Sequence, residues 1–196
     1  MMPKARSRGR RTRGQALAEF GIVLPFLAMV LLGVVEFGYA IYHSLLIDAV
    51  AREGSNLIAR DTTMTDAEAA LRAGAQGPVQ FDSNGRVIFS VIKLGTGGSN
   101  NGQPIIAQRY AFGGLSVTSV LGTPPSASYA GSPDYKAVNA DNDSSIRITG
   151  ALPNGLTLST GQSVYVTEVF VRHSTVSPIN RLGVTLPSTL YASAYF

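Results

Sequence analysis

Sixteen uncharged residues from Phe20 to Val35 constrain the fold of this chain more than any other stretch. As an α-helix the run is about 24 Å long at ~1.5 Å per residue, short of the roughly 30 Å hydrocarbon core of a bilayer. Gln15–Ala18 on one side and Phe37–Tyr42 on the other bring it to spanning length. Tyr39 and Tyr42 then fall where aromatic belts anchor a span at the water interface. Phe20, Pro25, Val35, Tyr39 and Tyr42 are read as residues of that span, and Pro25 as a kink that a membrane helix tolerates.

The flank ahead of the run is purely basic. Lys4, Arg6, Arg8, Arg10, Arg11 and Arg13 supply six of the sixteen basic residues, and positions 1–14 hold no acid. The net charge of +4 therefore belongs to a tail, since the rest of the chain has ten basic residues against twelve acidic ones. A nucleic-acid-binding domain loses its main support from that distribution. The tail instead predicts a cytoplasmic N-terminus and an exported C-terminus by the positive-inside rule. It has almost nothing to bury, so it should be disordered or lipid-associated.

A removable signal peptide is the competing reading, with small residues at Gly38 and Ala40 around a cleavage position. Glu19 and Glu36 interrupt such a segment, and the helical pattern continues past Ala40. From Ile41 to Arg60, Tyr42, Leu46, Val50, Gly54 and Leu57 recur at helical steps, with Asp48 and Arg52 paired at i, i+4 on another face. One helix from Gln15 to Ala59 follows, apolar all round in its first half and amphipathic in its second. The second half needs a surface to cover its stripe.

The rest of the chain should supply it. Thr65-Asp66-Ala67-Glu68 opens like a capped short helix reaching Ala73. Val87–Leu94 reads as a strand covered on both faces, with Val87, Phe89 and Val91 on one side and Ile88, Ile92 and Leu94 on the other. Gly95–Gly102 reads as a flexible hairpin loop; it lacks the Gly-Lys-Ser/Thr ending of a phosphate cradle. Gln108–Phe112, Ser163–Ser174 and Leu190–Phe196 are further strands, Leu115–Leu121 and Ile146–Thr149 short elements, and Thr123–Ser145 a long surface excursion. The expected fold is α+β. A long N-terminal transmembrane helix continues into an amphipathic half that packs on a small antiparallel β-sheet. Its parts are a basic cytoplasmic leader (1–14), the transmembrane and amphipathic helix (15–60) and an exported globular domain (61–196).

Little in this sequence resembles catalytic machinery. Cysteine is absent, no Gly-x-Ser-x-Gly elbow or zinc-binding histidine pair occurs, and nothing places His43 and His173 together. An enzyme and a bound cofactor are not expected. Asp141 and Asp143 are calcium candidates, because hard cations take oxygens from alternate positions. Ile146 stands where a calcium loop needs glycine and no glutamate closes it, so an Asx-type turn serves the same pattern. Glu36 should sit at the outer water boundary beside Tyr39. For Glu19, two readings stand at this point: a carboxylate snorkelling to the cytoplasmic headgroups, or one kept at the lip of the span for a task.

Gly14-Gln15-Ala16-Leu17-Ala18-Glu19-Phe20 resembles the processing site of type IV prepilins, a basic leader ending in glycine followed by an apolar helix with glutamate at mature position five. With Gly21-Ile22-Val23-Leu24-Pro25, Gly33-Val34-Val35-Glu36-Phe37-Gly38 and Ala51-Arg52-Glu53-Gly54, it is similar to the TadE-like pseudopilins of the tight-adherence (Tad/Flp) system. The resemblance is specific over Arg13–Arg60. It implies a single-pass protein of the bacterial inner membrane, cut between Gly14 and Gln15 by a prepilin peptidase. Its partners would be other pilins and the assembly platform, with the surface pilus as a further destination. Glu19 and Phe20 would then carry assembly and register. Cutting creates a cationic α-amine on Gln15, and in low dielectric the Glu19 carboxylate of a neighbouring subunit attracts it strongly. The alternatives are an uncleaved, membrane-anchored periplasmic or surface binding module, and a secreted enzyme released from its anchor.

Overall fold

The computed structural model describes residues 9–74, 79–150, 152, 156–176, 183 and 187–196. The chain divides into two compact units, Met1–Ile41 with Ser174–Leu186, and Tyr42–His173 with Pro187–Phe196.

Helix α1 spans Gly9–Ala59, with Pro25 inside it. It begins six residues ahead of the expected Gln15, inside the stretch expected to lack structure; arginine is a good helix former, and nothing in Gly9–Gly14 breaks a helix already propagating. Residues 1–8 of the leader lie outside the described residues. The C-terminal end matches expectation: Arg60 donates to the Leu57 carbonyl and Asp61 takes φ +58°, a left-handed stop that short polar side chains tolerate.

In the first unit, α1 presents apolar side chains outward all round. Phe20, Ile22, Leu24, Phe26, Leu31 and Val34 are all at least half exposed. Such a surface needs an apolar solvent, and this helix is a candidate membrane anchor by length and composition.

In the second unit, one stripe of α1 packs against a four-stranded sheet. The strands are β1 (Gly85–Leu94), β2 (Pro104–Phe112), β3 (Ser163–Arg172) and β4 (Thr189–Tyr195), in the order β2-β1-β3-β4, all antiparallel. Val87 stands opposite both Phe112 and Val169, which fixes the central register. Ile47, Ala51 and Ile58 of α1 meet Val87, Phe89, Val91, Val169, Val171 and Ala192 in the main core. The opposite sheet face carries two smaller clusters, one around Ile92, Ile106, Leu121 and Val166, the other around Ile88, Leu115 and Phe170. The two-sided burial expected of β1 is therefore observed, with Val87, Phe89 and Val91 on the α1 side and Ile88 and Ile92 on the other.

The contact stripe of α1 is rotated from the expected one. Tyr42 is half exposed, and Leu46, Val50 and Leu57 only flank the contact. The buried line runs through His43, Ile47, Ala51, Gly54, Ser55 and Ile58. Small residues decide it. A Cβ on Gly54 would lie 2.7 Å from Thr167 Cγ2 and 3.0 Å from Phe89 Cε1, so only glycine allows this approach of helix to sheet. Beside it Ser55 Oγ donates to the Ala194 carbonyl at 2.7 Å, tying the helix to β4.

Helix α2 (Met64–Gly74) covers the same face through Met64, Ala67 and Leu71. Its cap is Thr63 rather than Thr65: Asp66 N donates to Thr63 Oγ1 (3.1 Å), and that hydroxyl donates to Asp66 Oδ2 (2.6 Å). Arg72 then bridges Glu68 and Asp82 and lies 5.1 Å over the Phe112 ring.

Two loops are more ordered than their composition suggests. Gly95–Gly102 contains a 3-10 turn at Gly98–Asn100, and the fully buried Asn100 holds the 139–147 segment. Its Nδ2 donates to the carbonyls of Ala140 (2.8 Å) and Asp143 (2.9 Å), and its Oδ1 accepts Arg147 Nε (2.7 Å). Gly98, at φ +53°, is confined because a Cβ would strike Asn142. Within Thr123–Ser145, Tyr129–Ala137 doubles back on itself and covers the outer edge of β2 through Arg109 N to Tyr135 O and Ala137 N to Ala107 O. An open strand edge is a liability, and this cover removes it. Leu115–Leu121 forms no regular element, and Ile146–Thr149 gives a single bridge, Ile105 to Arg147, in place of a strand.

Candidate functional site

The residues singled out at the seam between the basic leader and the apolar run all lie on α1. Gly14, Gln15, Glu19 and Phe20 are exposed, and Gln15 Nε2 donates to Glu19 Oε1 at 3.0 Å along one helix face. The carboxylate thus stands one turn beyond Gln15, on the surface of a helix otherwise apolar as far as Val35. Its second oxygen makes no hydrogen bond among the described residues. An ionised group in hydrocarbon is costly without a partner, so an arrangement of this kind is suited to receive a cation from outside the chain.

Gly14 has no role in packing. A Cβ there would meet nothing within 4 Å. Glycine in a helix interior costs about 1 kcal/mol relative to alanine. The fold therefore gives no reason for glycine at this position, whereas at Gly54 it gives a full one.

Glu36 differs from the expected boundary carboxylate. It is fully buried, and both its oxygens accept the backbone N–H of Val176 at 3.1 Å. Donation from a backbone amide offsets part of the cost of taking a carboxylate out of water. Tyr39 is half-buried and Tyr42 half-exposed.

The two histidines, unrelated in sequence, come together in the second unit. His43 and His173 are buried with ring centroids 5.4 Å apart, edge to face. Burial, reinforced by the neighbouring His173, holds His43 below its ordinary value and favours the neutral ring. The pairing follows from β3 ending beside the start of the α1 contact stripe, a long-range fact that no local pattern carries.

The calcium candidates have other roles. Asp143 Oδ1 accepts both the backbone N–H (2.9 Å) and the hydroxyl (2.6 Å) of Ser145, which holds its carboxyl below the usual range. Asp141 contributes its carbonyl to Asn100 N (2.9 Å). Among the described residues no three His, Cys, Asp or Glu side chains converge as a metal site.

On the sheet face away from α1, Glu168 is buried and accepts Val120 N (2.8 Å) and Ser119 Oγ. Arg109, on the neighbouring side of the same face, donates Nη2 to the Gly122 carbonyl at 3.1 Å. Burial lowers the Arg109 guanidinium from its ordinary value while Glu168 opposes the shift. Arg109 and Ser119, with Arg86 of β1, line a cavity of about 490 Å³ that no local pattern announces, since its walls come from two strands and the irregular 117–135 region.

Residues 14–56 match the family model described as TadE-like protein. No curated protein and no solved structure matches the chain.

Proposed function

We propose that this chain, TadE-like over residues 14–56, is a minor pilin or pseudopilin of a tight-adherence type IV pilus, cut after Gly14 by a prepilin peptidase and carried into assembly by its apolar helix. The observation that carries the reading is the pairing of Gly14, which packing does not require, with Glu19, a carboxylate on an exposed apolar helix surface. A peptidase needs backbone access at the scissile bond, and glycine supplies it. A new α-amine on Gln15 would take the place beside Glu19 that the Gln15 amide holds in the uncut chain. In a filament, that amine and the Glu19 carboxylate of an adjacent copy or partner pilin attract strongly in low dielectric and set axial register. The globular unit, on a helix too long to be a mere anchor, is then presented outward from the inner membrane. The partners are other pilins and the assembly platform, and the chain has no catalytic step of its own.

Gly14→Val tests the processing step. The variant should accumulate at the mass of the uncut precursor while wild type migrates lower by the mass of the leader, residues 1–14. Equal migration of the two overturns processing and favours a permanently anchored binding module.

A further inference from the structure

The cavity on the outer face of the sheet is built like a binding site for an acidic sugar. Arg86 of β1 and Arg109 of β2 lie on the same sheet face, because Ser90, four residues along from Arg86, is the register partner of Arg109. Four residues of strand correspond to about 13 Å, so two guanidinium groups bracket a floor made by Ile88 and Ala111.

Each guanidinium is held by one backbone carbonyl and keeps one donor unmet. Arg86 Nη1 donates to Gly113 O at 2.8 Å, and its buried Nε has no partner among the described residues. Arg109 Nη2 donates to Gly122 O at 3.1 Å, and its buried Nη1 likewise has none. A buried charged donor left unmet is costly. Both guanidinium side chains line the one cavity, and two like charges brought to it call for an anion. Among the described residues no carboxylate lines the cavity. Glu168 lies behind Arg109, and its oxygens already accept from Ser119 and Val120.

The remaining lining narrows the chemistry. Thr118, Thr123 and Ser126 bring hydroxyl groups that make no intramolecular hydrogen bond among the described residues, and Tyr129 adds an aromatic wall fixed by its own bond to the Ile106 carbonyl (3.2 Å). Free hydroxyls, an aromatic surface and fork-shaped cations match a polyhydroxylated acid better than a peptide. A peptide strand would need the backbone edge of β2, and the Tyr129–Ala137 segment occupies that edge. We infer that the cavity binds an acidic saccharide of the uronate class, with carboxylates on Arg86 and Arg109. The cavity belongs wholly to the second unit, so the inference holds whether or not the chain is cut after Gly14.

The test uses the full-length chain in detergent micelles, with digalacturonate as probe and maltose and inorganic phosphate as controls, read by calorimetric titration. Digalacturonate should bind saturably, at least tenfold more tightly than either control. Arg86→Gln should weaken it at least tenfold. Arg109→Lys keeps a cation opposite Glu168 but loses the planar fork, and should weaken it several-fold with an unchanged melting temperature. Absence of saturable binding overturns the inference, as does equal binding of maltose or of phosphate, or affinity unaltered in both variants.

Discussion

Gly14 and Gly54 lie on the same helix and have opposite reasons for being glycine. Around Gly54 the helix is packed so closely on β1 and β3 that a single added carbon collides with Thr167 and Phe89. Around Gly14 there is open space, and the neighbouring residues face outward. In the Tyr42–Ala59 half, polar and small residues serve the fold: Ser55 ties to β4 and His43 is packed edge-on to His173. In the Gly14–Ile41 half the exposed surface is apolar, and the seam residues Gly14 and Glu19 gain nothing from packing. A residue that the fold does not need, in a region whose neighbours the fold does not bury, is best explained by what happens to the chain after it folds.

That contrast can be broken at several points. The largest effect is expected at Glu19. Glu19→Gln keeps an oxygen to accept the Gln15 amide but removes the charge, so membrane insertion should be unchanged while recovery in sheared surface filaments falls at least tenfold by immunoblot. Normal recovery would leave Glu19 a snorkelling side chain. Next is Gly54→Val, which forces two branches into the helix–sheet contact and should destabilise the second unit by about 3 kcal/mol, read as a lower thermal midpoint by circular dichroism in micelles. Processing after residue 14 should be unaffected by it. Asn100→Ala removes both donations to the 139–147 segment and the acceptor of Arg147, and should cost about 2 kcal/mol together with faster hydrogen exchange in residues 139–147. An unchanged exchange rate there would show that the segment is held by other contacts.

Much of this arrangement was legible in the sequence because it is periodic. The all-round apolar run, the alternation along Val87–Leu94 and Ser163–Ser174, and the stop after Ala59 are local signals, and each element formed where they placed it. On the second half of α1 the expected and observed stripes share Gly54 but otherwise differ by one position: apolarity points to Tyr42 and Leu46, while the buried line also takes in His43, Ala51 and Ser55, which give little or no hydrophobic signal. Local pattern presents Glu36 as a boundary carboxylate, Asn100 as a flexible loop residue and His43 and His173 as two separate histidines. Their partners lie far away in the chain, at Val176, in 140–147 and on each other. The Arg86–Arg109 cavity was invisible for the same reason: its register depends on a shift in pairing between Val91 and Ile92 and on a loop without periodicity. The seam was legible through its spacing alone, and the structure adds the observation that no packing explains it.

The most direct test of the central claim is N-terminal sequencing of the protein recovered from membranes and from sheared surface filaments. Gln15 as the first residue in both fractions is the predicted result. Met1 or Met2 at the start of the mature protein would contradict it.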